Sequence, residues 1–382
     1  MSATINHALL RLVREAQGRT QKDLSEASGV AQGSISKYEK GLQVPAAAQV
    51  EALASALRFP VEFFEQSEAR PATVLYRSRS LRSAKLETMV RGRLNLVRLV
   101  VAHLLEDITA EQVSRFPEPD QLYSSPEHAA AALRRAWGVV PGPIESVSDL
   151  IENAGGMVVR ADLGTDLVNA AYMHPLGDRF RWFIVNSRVS AGDRIRFSLA
   201  HELGHAVLHE TPMIPESKEA ETESHRFAAA FLTPIEDLGR ELPRGRLQVP
   251  DLMVLKQRFG VSMQSIITSA HRAGSLTSAE RERFFRLFSR NGWRLSEPGE
   301  VPIEQPTILR EALRIHRSEH GYTDADLATL ARVPLDTLSD LLPDYFDRPR
   351  QPLRVVSGTE SSPPAPAPLP PPPAALQRPP QR

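Results

Sequence analysis

The run His201-Glu202-Leu203-Gly204-His205 places two imidazoles four residues apart, with a carboxylate beside the first. On a helix that spacing puts both rings on one side, where they can pinch a single cation, and Gly204 lets a neighbour approach closely. The surrounding residues predict such a helix over Asp193 to His209. Ile195, Leu199, Leu203, Ala206 and Val207 form a core stripe, with Phe197, Gly204 and Leu208 apolar on the far side. His201 and His205 fall opposite that stripe. The chain holds no cysteine, so His, Asp and Glu are the only strong ligands it can offer to zinc.

A third ligand is expected from the next helix. The break Thr211-Pro212-Met213-Ile214-Pro215 should fold the chain back, and Ala220, Ser224, Phe227, Ala228 and Phe231 then make a buried stripe. Glu221 falls inside that stripe, whereas Glu223 lies at its edge beside Arg226. A bare carboxylate costs on the order of several kcal/mol to bury, so a cation must compensate it. Glu221 is the expected third ligand, with Glu223 as the alternative. His209 continues the line of His201 and His205, but a metzincin pattern would need histidine where Thr211 stands. Two histidines and a glutamate leave zinc a fourth position for water, whose pKa falls there towards about 7. Glu202 is placed to take that proton and pass it to a departing amine, so the expected reaction is hydrolysis. His225, Tyr172 and His174 are the polar groups to inspect as oxyanion partners.

Stepping from Leu9 to Phe64, apolar residues recur at helical spacing between short polar turns. Thr20 can cap a helix through Ala27, Gly29 permits a left-handed turn, and a second helix should cover Gln32 to Lys40. Leu24, Ala27, Val30 and Ile35 are the expected internal contacts. Gln32, Gly33, Ser34, Ser36, Lys37 and Lys40 then point outward, as side chains suited to a major groove, and Gln21 sits where a first helix meets the DNA backbone. With Gln21, Leu24, Gly29-Val30, Ile35-Ser36, Tyr38-Glu39, Gly41 and Pro45 in that order, residues 7–66 resemble the XRE (lambda-repressor-like) helix-turn-helix family. The resemblance implies operator binding, usually as a homodimer. The first 66 residues hold seven basic and seven acidic side chains, so the head alone offers little attraction to phosphate.

More positive charge follows in the connector. Arg70, Arg77, Arg79, Arg82, Lys85, Arg91, Arg93 and Arg98 face the single acid Glu87. This stripe can hold duplex or single-stranded DNA, or can be the solvated face of a helix whose other face is Leu94, Val97, Val101 and Leu104.

The centre of the chain carries a second resemblance. Phe197-Ser198-Leu199-Ala200 before the histidine motif, then Glu221, Glu223, Phe227-Ala228-Ala229, Leu232 and Pro234, look like the ImmA/IrrE family of zinc metallo-endopeptidases over roughly residues 121–300. That family's second helix reads Glu-x-Glu-Ala-Asn, whereas Ser224 and His225 stand at the last two of those positions here. The resemblance implies a cytoplasmic gluzincin-like protease that cuts a repressor protein after a stress or DNA-damage cue and so releases the repressed genes.

The expected architecture is mainly α with a small β-sheet (α+β). A helical stretch near Val147 to Asn153 precedes the β-rich runs Met157-Val158-Val159 and Trp182-Phe183-Ile184-Val185. Asp251 to Phe259 and Ser262 to Arg272 repeat helix-turn-helix spacing, more as scaffold for the centre than as a DNA reader. Leu309 to Leu342 imitates the head, but Asp336, Asp340 and Asp344 would repel phosphate, so packing or protein binding is expected. Twelve of the 31 prolines crowd the last 34 residues, which predicts a disordered tail. The expected divisions are 1–66, a head; 67–120, a basic helical connector; 121–300, the metallopeptidase-like part with the helix pair near 250–272; 301–347, a helical rear; and 348–382, the tail.

Length and charge bound the rest. A chain of 382 residues, 41% hydrophobic and 24% charged, suits two or three soluble domains. Its 46 Lys and Arg balance 46 Asp and Glu, so net charge predicts no partner. No apolar run approaches the roughly 18 residues that span a bilayer, and Met1 to Leu12 lacks a signal-peptide core; a cytoplasmic protein without a membrane partner is expected. The expected partners are therefore DNA and a repressor protein as substrate. The competing expectation is a transcriptional regulator whose metallo-domain senses or dimerises without cutting, and a third is an antitoxin-type autorepressor.

Overall fold

Five helices form the head: α1 (His7–Ala16), α2 (Gln21–Ser28), α3 (Gln32–Glu39), α4 (Ala47–Leu57) and α5 (Val61–Phe64). They belong to a computed structural model that describes residues 5–66, 83–106, 108, 114–117, 123–175, 177–209 and 218–347. The Pro-rich tail, the break at Thr211 to Pro215 and the connector residues Arg70, Arg77, Arg79 and Arg82 lie outside the described residues. Local chemistry sets the ends of α2. Thr20 and Asp23 each accept the other's amide, and Gly29 adopts the left-handed conformation at φ 72° that stops the helix. Leu24, Val30 and Ile35 are buried, but Ala27 is exposed, contrary to expectation, because α3 and α4 close over the Leu24 side of α2 alone.

A long helix, α6 (Ala84–Leu104), crosses α1. Gly92 makes the crossing close: a Cβ there would stand 2.6 Å from the Ala16 nitrogen. Of the basic stripe expected on this helix, as a DNA contact or a solvated face, Lys85 and Arg91 are exposed, but Arg98 turns inward. From Leu94 to Val101 every residue is buried, so Arg98 is drawn into an internal pair; Arg93 is half-buried, while Arg91 stays at the surface. Arg98 donates to Asp178 at 2.8 Å, Arg93 donates to the Asp162 carbonyl at 2.7 Å, and Arg91 pairs with Glu87 at 2.7 Å.

Then follow α7 (Pro126–Ala136), α8 (Val147–Asn153), β1 (Gly156–Ala161), β2 (Ala170–Met173) and β3 (Arg181–Asn186). The sheet order is β1-β3-β2, with β1 parallel and β2 antiparallel to β3. Alternation across the pleat splits the sheet between two cores. Met157, Val159, Trp182 and Ile184 join the core of the head and α6, while Val158, Phe183 and Val185 join the other. β2 is an edge strand that the sequence reading missed, since Ala170-Ala171-Tyr172-Met173 contains no β-branched residue.

Helices complete the fold: α9 (Gly192–Leu208), α10 (Lys218–Leu232), α11 (Ile235–Glu241), α12 (Val249–Phe259), α13 (Met263–Arg272), α14 (Ser278–Arg290), α15 (Ile308–Glu319), α16 (Asp324–Leu330) and α17 (Leu335–Leu341). The core of β1's far face takes in α7 to α14, and α13 buries Met263, Ile266, Ile267 and Ala270 within it. The rear helices α15 to α17 pack on α6 beside the head. Asp336 makes an exposed pair with Arg58 of the head, and Asp344, just after α17, pairs with buried Arg160 of β1. No helix among the described residues is long and apolar enough to cross a membrane.

Candidate metal centre and nucleic-acid interface

The histidine motif lies on α9, whose buried face carries Ile195, Leu199, Leu203 and Ala206. Val207 is only half-buried and Gly204 faces inward, against α10, rather than away from the core. That placement brings the two helices together. A Cβ on Gly204 would meet the Ser224 Cα at 3.0 Å, so the backbones approach closely there and Glu221 is carried up to the histidines.

His201 Nε2 and His205 Nε2 face each other at 3.1 Å. Glu221 Oε2 lies 3.6 Å from the first and Glu221 Oε1 3.5 Å from the second. Among the described residues this is the one group of three whose ligand atoms all fall within 4.8 Å of one another. A tetrahedral zinc with bonds of about 2.0–2.1 Å separates its ligand atoms by about 3.3–3.4 Å, so the three donors fit such an ion. The donor set points the same way: His201 and His205 hold the Glu221 carboxyl well below the usual carboxylate range, keeping it ionised between two imidazoles. Glu223 stands apart, 3.5 Å from His209 Nε2. His209 lies outside the triad, and burial, with repulsion from His205, pushes it down to about 4.

Glu202 is half-buried, and its Oε2 accepts the Tyr172 amide of β2 at 2.9 Å. The sequence named Tyr172 for its side chain, yet its backbone makes this contact; no sequence signal marks an edge-strand amide. The ring of His225 lies 4.7 Å from that of His201, and His174 is exposed at the end of β2. All these groups line an open cleft of about 1040 Å³. Its far wall is the strap at residues 293–303, which the sequence reading did not single out. Two buried carboxylates pin the strap. Glu297 accepts Lys256 at 3.2 Å and the amides of Met263 and Gln264 at 2.6 and 3.0 Å. Glu304 pairs with Arg196 of α9 and accepts the Val147 and Ser148 amides at 3.0 and 2.8 Å.

In the head, α3 exposes Gln32, Gly33 and Lys37, and Lys40 is exposed at its C-cap, while Ser34 and Ser36 are half-buried. Gln21 turns inward instead, its Nε2 donating to Glu39 at 2.8 Å. Glu39 is buried and accepts Arg14 at 2.5 and 2.8 Å, so one carboxylate ties α1, α2 and α3 together.

Residues 10–64 match the helix-turn-helix family, and residues 151–270 match the IrrE N-terminal-like domain of the M78 peptidases. The chain is a fusion of a helix-turn-helix domain with an IrrE-like domain. The matched segments contain α3 and the whole His201, His205 and Glu221 group respectively. No curated protein matches the chain significantly. The helix-turn-helix domain supports DNA binding, and the IrrE-like domain belongs to a metallopeptidase family that suggests a metal, usually zinc.

Proposed function

We propose that the chain is a DNA-binding zinc endopeptidase that cleaves a transcriptional repressor after a stress or DNA-damage signal, de-repressing its genes. The observation that carries the reading is the convergence of three donors within 4.8 Å beside Glu202, at the floor of an open cleft. His201, His205 and Glu221 would hold zinc. When bound there, zinc acidifies water and polarises a peptide carbonyl. Glu202 takes the proton at Oε1 or Oε2 and returns it to the leaving amine, and the Tyr172 amide holds the carboxylate at the required angle. The edge strand β2 and the strap flank the cleft, leaving room for an extended polypeptide between them. Lys37, Lys40 and Gln32 on α3 would contact operator DNA, with Gly33, Ser34 and Ser36 close to the backbone or base edges and Gln21 positioned through Glu39.

Glu202→Gln tests the reading directly. The amide can still accept from Tyr172 but cannot take a proton, so cleavage should fall by about 10²–10⁴ while metal content and DNA binding persist. Comparing cleaved peptides across the proteome, wild type against Glu202→Gln, identifies the substrate. If both strains yield the same peptides and the same gene expression, the domain senses or dimerises and cuts nothing.

A further inference from the structure

Arg294, on the strap and lining the cleft, and Arg281 of α14 both lay a guanidinium on the ring of Phe285, at 5.3 and 5.0 Å from its centroid. The two charges therefore stand within about 10 Å of each other, about one Debye length at 0.1 M salt, so their repulsion is felt most at low ionic strength. Neither has an acidic partner among the described residues. The neighbouring acids are engaged elsewhere: Glu280 caps Thr277, Glu282 pairs with Arg286, and Glu297 is held by Lys256. Burial removes water as a remedy for part of the charge, since the Arg281 Nε is buried with no hydrogen-bond partner.

The cationic character continues in both directions. Arg283, whose charge is felt by Glu280, and Arg290 extend it along α14, and Arg194 of α9 brings an exposed cation to the cleft. Glu300, further along the strap, is the exposed acid that lines the same cleft. Like charges gathered on one ring carry a repulsion that an anionic ligand would relieve, and such local inconsistencies are found at functional sites. Arg294 also stands on the strap that walls the cleft.

We infer that Arg281 and Arg294, braced on Phe285, form a docking site for an acidic segment of the polypeptide substrate, outside the reacting bond. This rests on the peptidase reading for the identity of the ligand, but the site itself needs neither metal nor turnover. Nucleic acid is the other polyanion that such a patch could hold. The direct continuity of Arg294 with the cleft favours the peptide.

The test uses the full chain carrying Glu202→Gln and a fluorescent oligoglutamate peptide, with oligoglutamine of equal length and a single-stranded oligonucleotide as comparison probes. Oligoglutamate should bind at low salt at least 10-fold more tightly than oligoglutamine. Arg281→Gln with Arg294→Gln should remove most of that preference, and Arg281→Lys with Arg294→Lys should retain it, which separates lost charge from lost packing on Phe285. His201→Ala should leave binding unchanged, so a failed peptidase reading and a failed docking site give different results. Equal binding of the two peptides, or unchanged oligoglutamate binding in the double Gln variant, overturns the inference. So does loss of oligonucleotide binding alone, which would assign the patch to nucleic acid.

Discussion

Tyr172 and Glu202 meet across the boundary between sheet and helix: the Tyr172 amide, on the edge of β2 that faces away from β3, donates to Glu202 Oε2 at 2.9 Å. An edge-strand residue that orients a carboxylate can be tested without touching the carboxylate. Tyr172→Pro removes the amide proton at a position where an edge strand tolerates proline. Tyr172→Ala removes the ring, which lies 5.0 Å from Phe183, and keeps the amide. Proline should lower kcat by about 10-fold or more with little change in metal content, and alanine should do so far less. Equal losses in the two variants would show that the ring, and not the amide, matters.

Metal content gives the second test. Removing one imidazole leaves two of three protein donors, so His201→Ala should fall from about one zinc per chain to nearly none by elemental analysis. Chelation should also lower the unfolding temperature of the wild type. Binding at 100 times the dissociation constant is worth about 2.7 kcal/mol of stability, which His201→Ala should already lack. Full zinc occupancy in the variant would contradict the ligand assignment.

What could be read from the sequence was what is written locally. The Thr20 cap, the turn at Gly29, the helix pair joined at Gly260 and the stripe of Ala220, Ser224, Phe227, Ala228 and Phe231 all depend on neighbours within a few residues, and they lie where those patterns placed them. The errors come from partners distant in the chain. Arg93 and Arg98 read equally well as a DNA contact or a solvated face until Asp162 and Asp178 were brought to them across about 70 to 80 residues. Gln21 was read from its position alone, and the hydrogen bond that ties it to Glu39, a carboxylate also held by Arg14, has no local pattern to announce it. The Tyr172 amide and the strap's anchors Glu297 and Glu304 are tertiary facts with no local pattern.

Alkaline pH probes the packing of the rear helices on the sheet. The Tyr345 hydroxyl is buried and accepts the Arg160 amide of β1 at 3.4 Å, and burial pushes its pKa up to about 12. An unfolded tyrosine ionises near 10, so its contribution is fully present below that pH and is lost as pH rises towards 12. The loss is about 1.4 kcal/mol per pH unit across that interval. Tyr345→Phe should cost about 1 kcal/mol or less at pH 8, where only a hydrogen bond is lost. Urea midpoints measured from pH 8 to 12 should therefore converge, and the variant should become the more stable protein at the alkaline end. Curves that run parallel would mean that the phenol is not held protonated.

The exposed face of α3 makes the last prediction one about salt. Each phosphate neutralised by a lysine releases condensed counterions, which contributes about 0.9 to the slope of log affinity against log salt. Lys37 on α3 and Lys40 at its C-cap are exposed and have no acidic partner among the described residues, so each can meet a phosphate. Lys37→Ala with Lys40→Ala should weaken operator binding and flatten the slope by about 1.8, to the same extent on any sequence. Gln32→Ala should act differently. A side chain reading a base edge is worth about 1–3 kcal/mol of discrimination, so its loss should narrow the gap between operator and unrelated DNA while leaving the slope alone. Fluorescence anisotropy at several salt concentrations separates the two effects. If the double lysine variant keeps its slope, the buried Arg14 and Glu39 network holds a bundle for protein contact, and the DNA must be held elsewhere.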